Sequence, residues 1–339
     1  MMRCVWSPVV VVIFCLAFFK VQAQDIHFSQ YNQQPLFLNP AFAGVNGCDY
    51  RVAATYRSQW AGLGKFNTVA ASADMAVLKR TKKSNYGGVG ISFFNDRAGD
   101  LSFSTTQANI HLSYTVLLNN KGTQTLTTGL VGGVGQRSID FSKITTDSQF
   151  GDMGFDPNAS NGENFTNRRK MYADVGAGML WNYTHNKNTN MYLGVAVTHV
   201  NQPNLSFFDS RTEKLYMKAT VHGGAYFKLT RMTQLMPSFM FLNQGPHYQL
   251  NVGSLVKMRL SSIPSNNTAF YVGAYYRVKD AIILATRFDI SGFNIGFSYD
   301  LNVSKLTKAT KLNGGPEISL IYSGCLKNKK SNASYCPVM

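Results

Sequence analysis

Along most of this chain, large apolar residues alternate with small or polar ones. The run Phe293-Asn294-Ile295-Gly296-Phe297-Ser298-Tyr299-Asp300-Leu301-Asn302-Val303 places an apolar side chain at every odd position. Successive side chains of a strand point to opposite faces, so this run makes one apolar and one polar face. Tyr50-Val52-Ala54-Tyr56 does the same, with Arg51, Thr55 and Arg57 on the other side. Val69, Ala71, Ala73, Met75 and Val77 follow. Further strands are expected near 86–94, 102–118, 123–139, 171–183, 191–200, 215–229, 233–242, 248–260, 269–278, 282–288 and 317–322. Ala108-Ile110-Leu112-Tyr114-Val116 and Leu215-Met217-Ala219-Val221 alternate most cleanly, whereas Val89-Ile91-Phe93 sits among glycines. About 14 such segments in one chain read as an all-β, antiparallel transmembrane barrel with lipid outside and a polar lumen inside.

Connection lengths support that reading. The longest, residues 140–168, and the segment 203–212 fall on one end of the barrel; most of the other set are short turns such as 185–190. Outer-membrane barrels have short periplasmic turns and longer outer loops. Segment 261–267 is a longer exception on the short-turn side.

Residues 1–23 read as an export leader. Arg3 supplies the positive start, 9–19 the apolar core and Val21-Gln22-Ala23 the small-residue cleavage site, so the mature chain begins near Gln24. Residues 24–47 are not barrel-like. They are rich in Gln and Asn, carry Pro35 and Pro40, and are expected to fold into the lumen or along the periplasmic rim. Phe28, Tyr31, Phe37 and Phe42 argue that this segment is ordered. The barrel is assigned to 48–325 and a periplasmic tail to 326–339. Charged residues are only 15% of the chain and aromatics 13%, which suits a lipid-facing wall with aromatic girdles. The formal net charge is +16, but the Lys and Arg are scattered and no nucleic-acid motif is present. Outer-membrane lipid head groups or acidic protein faces are the expected partners, not nucleic acid.

Three cysteines follow the leader: Cys48, Cys325 and Cys336. Export places them where disulfides persist. In a closed barrel with an even strand count, the two chain ends meet on one rim. A bridge from Cys48 to Cys325 or Cys336 would staple that seam; a local Cys325–Cys336 loop competes, and one thiol stays odd.

Catalytic and cofactor chemistry finds little support. Besides His27, the histidines His111, His185, His199, His222 and His247 show no metal-ligand spacing and no His-Glu-x-x-His motif. His111 and His222 fall on lumen faces. There is no Gly-x-Ser-x-Gly turn. The glycine run 129–135 lacks the Lys-Ser/Thr ending of a phosphate loop and lies in a strand, where glycine marks a bend or a close backbone approach. Residues 156–162 resemble a calcium loop, but the glycine falls one position late and the closing glutamate is missing. Inward Arg51, Arg57, Arg277 and Arg287 are expected to be solvated lumen charges. A non-enzymatic protein without cofactor or metal is expected.

Gln30-Tyr31, then Asn39-Pro40-Ala41-Phe42-Ala43-Gly44, then Tyr56-Arg57-Ser58-Gln59-Trp60, in this order after a leader, resemble the PorP/SprF family of Bacteroidetes outer-membrane proteins. The endings Gly315-Pro316-Glu317-Ile318-Ser319-Leu320 and Cys336-Pro337 are similar too. The resemblance implies an outer-membrane component of the type IX secretion system. Such a component assists export and surface attachment of a large secreted adhesin, often a gliding-motility adhesin, or contacts the periplasmic lipoprotein ring. From the residues themselves, Asn39-Pro40 forces an extended or turn geometry, and Gly44 and Gly47 permit left-handed turns. Tyr56 and Trp60 fall where an aromatic belt is expected. Asn39, Pro40, Ala41, Phe42, Gly44, Tyr56, Arg57, Gln59 and Trp60 are the candidate partner-binding residues. The alternative reading is a transporter or channel for a hydrophobic or small solute.

Overall fold

The computed structural model describes residues 25–59, 66–77, 85–99, 102–140, 147–151, 154–156, 169–207, 212–260, 268–304 and 312–325. The leader, Trp60, Cys336 and most of the calcium-loop-like segment lie outside the described residues.

Fourteen antiparallel strands close into a barrel. In chain order they are β1 (Tyr50–Gln59), β2 (Phe66–Ala76), β3 (Tyr86–Ala98), β4 (Phe103–Leu117), β5 (Gln124–Ser138), β6 (Arg169–Asn186) and β7 (Thr189–Thr198). The second half comprises β8 (Lys218–Lys228), β9 (Thr233–Gln244), β10 (His247–Arg259), β11 (Ala269–Arg277), β12 (Ala281–Ile290), β13 (Phe293–Asn302) and β14 (Asn313–Gly324). Each pairs with its chain neighbours, and β1 returns to β14 in register from Tyr50↔Gly324 to Arg57↔Glu317. Closure leaves no unpaired edge, the condition for strands to cross hydrocarbon.

Alternation appears directly as exposure. In β13, Phe293, Ile295 and Phe297 face outward, while Gly296, Ser298 and Asp300 are buried. The weak pattern of β3 has a local cause. Its inward Gly88 and Gly90 sit against Ala43 and Leu36 of the N-terminal segment, so no larger side chain fits there. One expected strand start shifts. Leu215 lies before β8 and is buried with Tyr172 and Leu205 in the rim, its N–H bonded to the Pro203 carbonyl.

The chain ends share a rim with the short connections, among them 187–188 between β6 and β7 and 291–292 between β12 and β13. The two long connections, β5 to β6 and β7 to β8, share the opposite, loop rim. At the seam Cys48 is bonded to Cys325 across a sequence separation of 277 residues, with Cα atoms 4.6 Å apart. Of the pairings left open by sequence, the structure adopts this one. A cross-link over so long a loop restricts the unfolded chain strongly. Cys48→Ser is expected to lower barrel stability by about 2–5 kcal/mol. The check is urea unfolding with and without reductant: reductant should weaken the wild type and leave the variant unchanged.

Candidate functional site

Residues 25–47 fill the lumen. The segment starts at the loop rim beside Gln244 and ends at Cys48 on the termini rim. It contains the short turns Tyr31–Gln33, Pro35–Leu38 and Pro40–Phe42 and is buried over nearly its whole length. Three groups of contacts fix it.

The first is an apolar contact. Tyr31, Leu36, Leu38 and Phe42 pack against Leu180, Met236, Met240, Leu255, Tyr275 and Ile283 of the wall. These inward residues are apolar because they meet this plug rather than water. Tyr31 stands edge-on to Tyr275 with ring centroids 5.8 Å apart, and its hydroxyl donates to Ser238 Oγ at 2.9 Å.

The second is a buried carboxylate clamp from β13 and β14. Glu317 accepts from the backbone N–H groups of Ser29 at 2.7 Å and Gln30 at 2.9 Å. Asp300 accepts the Ser29 hydroxyl at 2.7 Å. Arg57 and Arg277 lie 2.9 and 3.0 Å from Asp300, and Arg57 also donates to the His27 carbonyl. Arg277 Nη2 donates to Ser29 Oγ at 2.8 Å. Arg51 pairs with Asp74 at 2.8 Å, and Asp74 in turn accepts the Gly44 N–H at 2.9 Å. With its oxygen turned to Arg287, the Gln33 amide accepts from Nη1 at 3.1 Å. Arg51, Arg57, Arg277 and Arg287 are 7%, 1%, 3% and 3% exposed. The expectation of solvated lumen charge is therefore corrected: all four guanidinium groups are dry and hold the plug or its carboxylate clamps. A charge leaves water only where partners replace its hydration, and the plug backbone supplies much of that replacement.

The third is a slot for the Asn39-Pro40-Ala41-Phe42 knuckle. Asn39 is extended and caps the following turn by accepting the Ala41 N–H at 2.9 Å. Its Nδ2 donates to the Met179 and Val195 carbonyls at 2.9 and 3.1 Å and lies 3.0 Å from His222 Nε2. Glycines make the room. A Cβ on Gly178 would stand 2.1 Å from Asn39 Oδ1, and one on Gly129 would stand 2.3 Å from the Ala41 nitrogen. The glycine run of β5 thus receives the plug backbone. The Phe42 ring lies against His222, tilted by 38° with centroids 5.3 Å apart. Gly44 turns the chain with φ +67°, whereas Gly47 is not among the positive-φ residues, which corrects the left-handed turn expected there.

At the loop rim, Asp25 lies 2.6 Å from both His199 Nε2 and Lys218 Nζ, and His199 Nδ1 lies 2.9 Å from Asp174. Burial opposes charge on the His199 ring, but Asp25 and Asp174 outweigh it and push its pKa up to about 9. Burial likewise opposes charge on Asp25, yet His199 and Lys218 hold its carboxyl well below the usual range. A raised histidine pKa stabilises the fold fully below its ordinary value of 6.5, and that stabilisation is lost as pH rises through about 9. Melting of the barrel followed from pH 6.5 upward should show this decline in the wild type and a flatter profile in His199→Gln.

The candidate residues from sequence thus divide. Asn39, Pro40, Ala41, Phe42 and Gly44 are sealed inside the barrel, and Arg57 belongs to the clamp. Tyr56 points outward at 45% exposure, and Gln59 is half-buried at the end of β1. Asp25, Ser29, Asp74, Asp300 and Glu317 were not foreseen. An acidic residue at an inward position of a clean strand was the available signal for Asp300. Among the described residues no group of three His, Cys, Asp or Glu could hold a metal ion. One hollow between the plug and β8–β9, bordered by Phe28, Phe37 and Lys218, measures about 30 Å³.

A family model described as type IX secretion system membrane protein PorP/SprF matches residues 20–322. The chain belongs to the PorP/SprF family. It is an outer-membrane component of type IX secretion. No curated protein matches it. Among solved structures, the Ralstonia pickettii toluene transporter TbuX is similar at 11% identity and a TM-score of 0.52, over 85% of this chain and 92% of that one. A Pseudomonas aeruginosa FadL homologue is similar at 10% identity and a TM-score of 0.50, over 86% and 94%. At these identities the likeness shows the barrel fold alone.

Proposed function

We propose that this PorP/SprF barrel is a non-enzymatic helper of export that holds a secreted adhesin or other large cargo at the surface through its rims, and that it meets periplasmic ring components on the termini side. The observation that carries this reading is the lumen filled from Asp25 to Cys48. A barrel whose core is its own N-terminal segment offers partners its rims and outer wall. The leader at 1–23 and the periplasmic tail at 326–339 belong to the same proposal: removal of the leader frees the segment to enter the lumen. The Asn39 to Gly44 motif acts by setting the plug, while Tyr56 and Gln59 belong to the loop-rim part of β1. A solute conduit is the weaker alternative, because the N-terminal segment occupies the lumen from Asp25 to Cys48.

Affinity purification of the tagged protein from native outer membranes, followed by mass spectrometry, tests the proposal. Periplasmic ring components or one very large surface protein should come along. A clean barrel that binds small hydrophobic molecules in mild detergent would favour the conduit.

A further inference from the structure

The cations that look scattered in sequence are sorted by the fold. On the termini rim, Lys121, Lys187 and Arg231 stand exposed in three separate hairpin connections, and exposed Arg259 ends β10. Half-exposed Lys228 joins them. None of the five is paired with a carboxylate among the described residues. The described acids at this end are Asp49, Asp74 and Asp289; Asp74 is paired with Arg51, and Asp289 is bonded to Lys257 and Tyr271. The loop rim differs, because Asp96, Asp140, Asp156, Glu213 and Asp280 are interspersed there with its basic residues.

Depth decides what such a ring meets. Leu118, Leu229 and Leu260 are 49%, 61% and 56% exposed and mark the end of the apolar wall beside Lys121, Arg231 and Arg259 respectively. At a rise of at most about 3.3 Å per residue, each of these three lies within about 10 Å of that edge. This is the head-group zone flanking the hydrocarbon. The positive residues are spread along the rim from β4 to β10 rather than gathered in one patch. That arrangement fits a continuous anionic surface better than the face of a single folded protein.

We propose that the termini rim is an anionic-phospholipid-binding ring that seats the barrel in the leaflet on that side. Long basic side chains lay their methylenes on the apolar edge and carry their charge to the phosphates. Each cation near an anionic membrane surface adds a modest increment, and several together make a selective anchor. The inference needs only the outer-membrane location, so it stands or falls separately from the secretion partner.

The test uses the full chain equilibrated in mild detergent with equal amounts of phosphatidylglycerol and phosphatidylcholine, with retained lipids counted by native mass spectrometry. The wild type should retain phosphatidylglycerol over phosphatidylcholine by roughly fivefold or more. A variant carrying Lys121→Gln, Lys187→Gln, Arg231→Gln and Arg259→Gln should lose most of that preference while keeping its heat-modifiable, folded form. A matched variant of the loop rim, Arg169→Gln, Lys170→Gln, Lys214→Gln and Lys279→Gln, should keep it. Equal retention of both lipids by the wild type, or an unchanged preference in the first variant, would overturn the proposal. So would a first variant that keeps its lipids but loses a co-purifying periplasmic protein, because the ring would then serve an acidic protein face.

Discussion

Replacing Arg57 by methionine is expected to destabilise the barrel by about 3–5 kcal/mol, the range for stripping one partner from a buried ion pair. Asp300 and Glu317, 2% and 1% exposed, would be left with one guanidinium fewer beside them. The His27 carbonyl would lose its donor as well. The loss should be seen as earlier melting and as cleavage or exchange near Ser29 and Gln30, whose N–H groups Glu317 holds. A double-mutant cycle with Asp300→Asn separates pair from context. The second substitution should cost much less in the Arg57→Met background than alone, because the charge it removes no longer has that partner. Additive effects, or a loss below about 1 kcal/mol for Arg57→Met, would show that the clamp does not hold the plug.

The second large effect is steric. Gly129→Val and Gly178→Val each place a Cβ inside contact distance of the Asn39-Ala41 knuckle, at 2.3 and 2.1 Å from its nearest atoms. The Ala41 nitrogen is backbone, and Asn39 is fixed by the Met179 and Val195 carbonyls, so neither can yield cheaply. Overpacking of this kind costs about 1–3 kcal/mol, sometimes more. Protease or hydrogen-exchange labelling should find Asn39 to Phe42 newly accessible in both variants. Gly132→Val in the same strand is the control, since a Cβ there meets nothing within 4 Å and would face lipid. It should leave the plug protected. Equal exposure in all three variants would mean that the glycines of β5 serve strand geometry rather than the plug.

Much of the wall was legible because its signal is local. Outward Phe293, Ile295 and Phe297 against inward Ser298 and Asp300 need only the two-residue period to be read. The strand count and seam follow from that period, and the topology then leaves Cys48 beside Cys325. What stayed hidden is non-local. Residues 25–47 could be set apart from the wall by their Pro and Gln content, but lumen and rim remained equal choices. Their position rests on contacts such as Ser29 with Glu317, 288 residues away. The inward apolar residues Leu180, Met240, Leu255 and Ile283 blur the alternation for the same reason: they answer to the plug. Leu215 fitted the strand period yet packs in the loop rim, because period two does not mark where a ladder begins. Charge sorting was equally invisible, since hairpin tips far apart in sequence share one rim only once the barrel has closed.

Single-channel recording of the full-length protein in planar bilayers tests the central claim, a lumen closed by its own N-terminal segment. A closed baseline is predicted for the wild type. Intermittent conductance should appear when the clamp and the slot are both broken, in Arg57→Met with Gly178→Val. Steady, open-pore conductance by the wild type, with the Cys48–Cys325 bond intact, would contradict it.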